Sequence, residues 1–332
     1  MKELLAPFAG LYKGVTSLRN YLFDINLKKT IELDIPVISV GNITAGGTGK
    51  TPFTITLANL LVEKGFKPAI ITRGYKRKSK GQVIVSEGNG SKVSVEISGD
   101  EPFLMAEKTK KVVIIADTDR VEAGKTALEK MGSDIIIADD CFQHRRLFRD
   151  VNIILWDSYT SPYDESLLPK GRLRESFDGL LRGDFLVFTR TESPDDKDVE
   201  FFNQKGLECY TSPTRITEIK NINEEFAQSD IEGKSILAFC GLGNHQQFFD
   251  TVQQLNPNKL ITQKFPDHHK YSEQEVETLF KKAELDKVDF LITTEKDKTN
   301  IPSKFLGNEK LMYLSISLGI DERLLNRILR DI

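Results

Sequence analysis

The stretch GNITAGGTGKTP at 41–52 constrains this chain more than any other. It is entered from the apolar run PVISVG (36–41) and leaves into the amphipathic helical pattern TPFTITLANLLVEKG. A buried strand that passes through glycines into a helix is the arrangement of a phosphate-binding loop. Gly46, Gly47 and Gly49 let backbone N–H groups curl around phosphate oxygens without Cβ clashes. The helix N-terminus adds the positive end of its dipole. Lys50 then reaches toward β- and γ-phosphates, and the Thr51 hydroxyl is placed for Mg²⁺. The expected nucleotide-binding stretch is Thr44, Ala45, Gly46, Gly47, Thr48, Gly49, Lys50 and Thr51, with Thr44 standing where the full pattern has glycine.

The rest of the first 190 residues keeps the same strand–helix rhythm. AIITRG, VVIIAD, IIIAD, VNIILWD and FLVFTR are near-continuously apolar, as parallel strands buried on both faces are. Their alternation with helical patterns predicts an α/β fold, a doubly wound, mostly parallel sheet of the P-loop kinase type. QVIVSEGNGSKVSVEI (82–97) breaks the rhythm and reads as a β-hairpin turning at Asn89-Gly90. After TRTESPDDKD the pattern becomes loose and polar, which places a linker or crossover near 195–222. A second, smaller α/β domain starts at SILAFCGLGN (235–244) and continues through KLITQKF, a helix from about Ser272, DFLITTEKD (289–297) and LMYLSISL. The expected division is an N-terminal helical segment at 1–26, a nucleotide-binding domain at 27–208, a linker at 209–222 and the second domain at 223–332.

A chain of 332 residues buries most of its apolar surface without staples, and its length fits two domains. The net charge of -3 argues against a nucleic-acid partner. Cys141, Cys209 and Cys240 form neither a CxxC pair nor a disulfide framework, which fits a reducing cytoplasm. The first residues carry Glu3 early and lack the apolar run of a signal peptide, and no stretch is long enough for a transmembrane helix. Leu4, Phe8, Leu11 and Tyr12 recur at helical spacing among Lys2, Lys13 and Arg19, with Gly10 and Gly14 weakening the helix. Such a segment either docks on the core or lies on a membrane surface.

Carboxylates collect near the ends of the apolar runs. IIIADD ends in Asp139 and Asp140, at a strand tip where a phosphate-loop enzyme holds Mg²⁺. SGDEP (98–102) offers Asp100 and Glu101, one to take the proton of an acceptor hydroxyl and the other to face the metal. FPDHHKY (265–271) sets His268 beside His269. Adjacent side chains on an extended chain point apart and no cysteine lies near, which disfavours a metal site; a histidine that tunes a carboxylate base fits better, and either histidine serves. The basic clusters Lys76, Arg77, Lys78, Lys80 and Arg145, Arg146, Arg149 are either solvated faces or anion contacts.

Taken in order, GNITAGGTGKTP, TRGYKRKSKG, SGDEP, ADDCFQHRRLFRD, LLPKGRLRES, GLGNHQQFF, FPDHHKY and TTEKD resemble the tetraacyldisaccharide 4′-kinase (lipid A 4′-kinase) family across residues 37–297. The resemblance implies two α/β/α domains joined by a β linker. It implies ATP, Mg²⁺ and an acylated glucosamine disaccharide 1-phosphate whose 4′-hydroxyl accepts the phosphate. It also implies a peripheral place on the cytoplasmic face of a bacterial inner membrane, held partly by the N-terminal helix, with no obligate protein partner. By the same resemblance Lys50 and Thr51 are the phosphate and metal residues, and Asp100 is the base with His268 its partner. Glu101, Asp139 and Asp140 lie on the metal side, and Arg174 and Glu175 flank the reacting phosphate. Gln143 and His144 follow the family's FQH; Cys141 replaces its usual glycine, and Ser176 a frequent proline.

Two other readings compete. A P-loop NTPase switch, of the partitioning or metallochaperone-GTPase kind, would hydrolyse nucleotide against a protein partner. Ala45 replaces the second lysine of the partitioning ATPases, and Arg190 and Glu192 depart from a guanine-reading TKxD element. A membrane-peripheral nucleotide sensor would bind ATP without turnover.

Overall fold

A computed structural model describes residues 5–267 and 269–332. Leu4 and His268, both singled out above, lie outside the described residues. The chain divides into two compact units: the described residues up to Pro213 together with Leu318–Ile332, and Thr214–Ser317.

The first unit is built on β1 (Val37–Gly41), β2 (Pro68–Thr72), β3 (Val83–Asn89), β4 (Lys110–Ala116), β5 (Ile135–Asp139), β6 (Val151–Asp157), β7 (Phe185–Thr189) and β8 (Glu208–Ser212). Their spatial order is β3-β4-β2-β5-β1-β6-β7-β8. Every neighbouring pair is parallel except β3, which runs antiparallel to β4 at one edge. Its helices are α1 (Ala6–Asp24), α2 (Lys50–Glu63), α3 (Val95–Ser98), α4 (Asp100–Lys108), α5 (Arg120–Glu129) and α6 (Asp196–Asn203). One core packs Phe53, Leu57 and Leu61 of α2 with Val40, Ile70 and Ile114; another packs Val121, Ala123 and Ala127 of α5 with Ile71, Ile115 and Ile136. With helices on both faces, β1, β2, β5, β6 and β7 are buried along their whole length, so they read as continuous apolar runs. The chain fills one side of β1 with β2 to β5 and then crosses to β6, β7 and β8 on the other. The carboxyl end of β1 therefore sits at the change of direction, where open α/β sheets bind ligands.

The second unit carries β9 (Thr214–Lys220), β10 (Glu225–Phe226), β11 (Ser235–Cys240), β12 (Lys259–Lys264), β13 (Phe290–Thr294) and β14 (Leu311–Leu318), in the order β10-β9-β14-β13-β11-β12. Strands β11 to β14 pair in parallel, accompanied by α7 (Gln228–Ile231), α8 (His245–Gln253), α9 (Glu273–Leu285), α10 (Glu295–Lys298) and α11 (Ser303–Leu306). The expected helix near Ser272 is α9, and Ser272 is its N-cap in a reciprocal pair with Glu275.

Three expectations need correction. The hairpin at 82–97 does not form: β3 pairs with β4, and Val95–Ser98 is a helical turn. A lone two-stranded ribbon is marginal, and the edge of an eight-stranded sheet offers β3 a better ladder. The segment near 195–222 is not loose, because it holds α6, the edge strand β8, and β9 of the other sheet. Finally, the second unit does not run to the C-terminus. α12 (Glu322–Arg330) returns to the first unit, where Leu324, Leu325 and Ile328 complete the core that contains α2.

Candidate active site

The phosphate loop leaves β1 at Gly41 and enters α2 at Lys50. Gly46 (φ 120) and Gly49 (φ 81) take conformations that L side chains rarely adopt. A Cβ added at Gly46 or Gly47 would meet nothing within 4 Å, so this part of the loop borders open space. The loop is clamped from behind: Thr189 Oγ1 donates to the Thr48 carbonyl (3.1 Å) and Arg190 to the Gly47 carbonyl (2.8 Å). Asp157 lies 3.2 Å from the Arg190 guanidinium and holds it in place. Arg190 is thus committed to the loop backbone, which accounts for its departure from a guanine-reading residue.

Thr44 and Ala45 differ from expectation. Thr44 forms a β-bridge with Leu173, the Ala45 N–H donates to the Arg172 carbonyl (2.7 Å), and the Arg174 N–H donates to the Ile43 carbonyl (2.7 Å). The Ala45 amide is therefore spent on anchoring the 172–174 segment and is not a phosphate donor. This anchoring also explains why residue 44 need not be glycine: Thr44 is buried against Leu173 and is not part of the open cradle.

Charged groups converge on the same strand ends. Lys50 Nζ lies 3.2 Å from Asn42 Oδ1 and 3.5 Å from Asp140 Oδ1. Arg174 reaches both oxygens of Asp140, at 3.0 and 3.2 Å. Burial works to raise the Asp140 pKa, but Lys50 and Arg174 outweigh it and hold the carboxyl below its usual range. Asp140 itself has φ 47, a left-handed backbone for a non-glycine residue. Cys141 does not share that conformation; its buried side chain fills the core beside Ala138 and Leu147, so the loop accepts it in place of glycine.

Asp139 is the group with unmet demand. It is 2% exposed, and Thr72 Oγ1 donates to one oxygen at 2.9 Å while Oδ1 has no partner. Burial pushes its carboxyl up to about 7, with the charges of Glu101 and Asp140 adding to the rise. That coupling places Glu101 in the electrostatic reach of Asp139. Asp100 and Glu101 occupy the first turn of α4, after Gly99 at φ 89, and both are exposed. Thr51 sits in the first turn of α2, half-buried. Among the described residues no three His, Cys, Asp or Glu side chains form a metal cage. Thr51, Glu101, Asp139 and Asp140 therefore do not make a site of their own; such an arrangement suits Mg²⁺, which is held by one or two carboxylates plus phosphates and water. The unpartnered Asp139 Oδ1 is the observation that fits the residues to that cation.

Glu175 is a hub of another kind. It is 3% exposed and accepts from Arg182 (2.6 Å), Gln143 (3.0 Å) and Asn20 (3.1 Å). Gln143 also donates to the Asn42 carbonyl at 2.8 Å. Asn42, Thr72, Asp157 and Asn20 were not among the residues expected at the site, and Gln143 was noted only as part of the FQH motif. Asn42 alone carried a local signal, an amide directly after a buried strand and before the glycines. The Arg145 cluster is structural: Arg145 holds Asp24 and the Asn20 carbonyl, Arg146 holds Asp119, and Arg149 donates to the His144 carbonyl.

Helix α1 points its apolar stripe outward. Phe8, Leu11, Val15 and Leu18 follow helical spacing and are 62%, 70%, 61% and 59% exposed. No helix among the described residues is long and apolar enough to cross a membrane.

Residues 1–332 match the family described as tetraacyldisaccharide-1-P 4′-kinase. The tetraacyldisaccharide 4′-kinase of Aquifex aeolicus is 40% identical over 274 residues, 82% of this chain and 84% of that one. The enzyme of the same name from Syntrophus aciditrophicus is 35% identical over 336 residues, 96% and 88% of the two chains. The crystal structure of LpxK from Aquifex aeolicus in complex with ATP superposes with a TM-score of 0.78 at 37% identity, over 99% of each chain.

Proposed function

The chain belongs to the tetraacyldisaccharide-1-P 4′-kinase family, and on that premise we propose that it transfers the γ-phosphate of ATP to the 4′-hydroxyl of an acylated glucosamine disaccharide 1-phosphate. The observation that carries the reading is the buried, half-partnered Asp139 beside the Lys50–Asp140–Arg174 chain of charges. The amides of Gly46, Gly47, Thr48 and Gly49 line the phosphate cradle. Lys50 and Arg174 are the cations that meet charge spreading over the transferred phosphoryl oxygens, and Asp140 holds both in place until substrate arrives. Thr51, Asp139 and Asp140, with Glu101 alongside, would hold Mg²⁺, which neutralises phosphate charge when bound. Asp100 takes the proton of the attacking hydroxyl, and His268 is its proposed partner. Transfer of γ-label from ATP to the lipid acceptor, followed by thin-layer separation, tests the activity; hydrolysis without a labelled lipid product would favour a nucleotide switch. Asp100→Ala and His268→Ala are each expected to lower kcat by about 10²-fold, with the double variant little worse than the poorer single one. Multiplicative losses would separate the two residues.

The exposed apolar stripe of α1 is read as the face that lies on a bilayer. The acceptor named for this family is itself a lipid, and Phe8, Leu11, Val15 and Leu18 offer such a surface a continuous apolar face. On this reading the protein lies peripherally on the cytoplasmic side of the inner membrane, where ATP is available. Sedimentation with membranes before and after removal of residues 1–22 is the test. Unchanged sedimentation of the truncated protein refutes the anchor.

A further inference from the structure

Most amphipathic helices of a soluble unit turn apolar side chains inward and polar ones outward. α1 does the reverse over much of its length, and its inward polar side chains touch the candidate site. Tyr12 Oη donates to the Arg174 carbonyl at 2.8 Å, across 162 residues of sequence. Asn20 Nδ2 donates to Glu175 Oε2 at 3.1 Å, and Arg19 donates to the Gln143 carbonyl. The Arg174 peptide is held on both sides, its N–H on the Ile43 carbonyl of the phosphate loop and its own carbonyl on the helix. From Glu175 the contacts continue to the loop without a gap. Gln143 Nε2 bridges Glu175 Oε1 and the Asn42 carbonyl, and the Asn42 side chain accepts from Lys50 Nζ.

We infer that Tyr12 and Asn20 are positioning residues for phosphoryl transfer: the inner face of α1 holds Arg174 and, through Glu175, Gln143 and Asn42, the ammonium of Lys50. The inference rests on the reading of Lys50 and Arg174 as phosphate-site groups. The physical argument is the demand of Glu175. A buried carboxylate needs most of its lone-pair sites filled. Arg182 supplies the charge, and Gln143 and Asn20 supply the neutral donors. Withdrawing Asn20 leaves Glu175 to recruit its remaining partners more tightly, and Gln143 is the one that also holds the loop. The helix that lies on the membrane is thereby part of the frame that fixes the loop, so its seating sets a rate as well as an affinity.

The test uses the full chain with acceptor dispersed in detergent micelles, where no bilayer is present. Tyr12→Phe and Asn20→Ala are expected to lower kcat about 3- to 10-fold, the size of one positioning hydrogen bond, with acceptor KM within about twofold. Asn20→Asp sets a carboxylate against Glu175. Its kcat should fall below that of Asn20→Ala at alkaline pH and recover toward it on acidification, as the new acid gains a proton to donate. A loss confined to acceptor KM, or an Asn20→Asp profile that tracks Asn20→Ala at every pH, overturns the inference. Thermal unfolding checks that each variant is folded, and Tyr12→Phe keeps the ring packing if Asn20 variants are unstable. Flotation of the wild-type chain with phosphatidylethanolamine–phosphatidylglycerol vesicles is read separately. Failure to float removes the membrane reading and leaves the micellar kcat comparison standing, whereas a Lys50→Ala enzyme with full turnover removes the phosphate-site reading itself.

Discussion

Asp139 and Asp297 lie at the carboxyl ends of parallel strands in different units, and both are almost wholly buried. Their surroundings are opposite. Asp297 accepts from the Gly241 N–H with both oxygens at 3.1 Å and from Thr294 Oγ1 at 2.7 Å, while its own N–H takes Thr294 Oγ1 at 2.9 Å. It is a clasp that closes one turn onto another. Asp139 has a single hydroxyl donor, an oxygen with no partner, and two more carboxylates close enough to raise its pKa. A buried acid satisfied by its own fold serves the fold; one left short by its fold is kept for something that arrives from outside.

Four substitutions break or sharpen that contrast. Lys50→Ala should have the largest effect, a loss of about 10³-fold or more in transfer of label to lipid, because it removes the ammonium held at the loop by Asn42 and Asp140. Near wild-type turnover at saturating ATP would void the assignment. Asp139→Asn should cost about 10²-fold in kcat and leave unfolding stability unchanged or slightly higher, since an amide removes an under-partnered buried charge. A marked loss of stability in this variant would make Asp139 a structural residue like Asp297. Asp297→Asn should show the converse, turnover falling only as far as stability does, with about 2 kcal/mol lost in urea unfolding.

His144 supplies the smallest test. Its Nε2 is buried without a partner, and burial, with Arg120 adding to it, pushes its pKa down to about 4. The folded state therefore resists a proton that the unfolded chain accepts near 6.5. Stability from this group is complete above about pH 6.5 and is lost as pH falls toward about 4. The ring is partly exposed, so screening leaves about 1–2 kcal/mol of the effect. His144→Gln should flatten that part of the stability profile between pH 7.5 and 5; an unaltered slope would show that other groups cause it.

The parts of the site legible in the sequence were those whose signal is local. The loop could be read because β1, glycines and α2 are consecutive, and Asp139-Asp140 because they end an apolar run. What sequence could not show are the partners brought in by topology. Thr72 meets Asp139 because β2 and β5 are neighbours, and Arg174 meets Asp140 because the 172–174 segment bridges to the loop. Spacing carries no trace of the link from Asn20 to Glu175, 155 residues away. The hairpin expectation failed for the same reason: a local turn signal at Asn89-Gly90 was outbid by a ladder with β4. The helical spacing of α1 was legible, but which of its faces would meet protein was not.

The return of α12 has a consequence for how the chain is made. The second unit is one continuous stretch, Thr214–Ser317, whereas the first is interrupted by it. The two crossings run side by side, with the Gly319 N–H on the Pro213 carbonyl at 2.9 Å. On the ribosome the interrupting stretch emerges whole while the core around α2 still lacks Leu318, Leu324, Leu325 and Ile328. Leu318 is also the side chain against the phosphate loop, with its Cδ1 2.7 Å from where a Cβ on Gly49 would be. A nascent chain stalled before Leu318 therefore exposes the apolar side of α2 and lacks the side chain that packs beside Gly49.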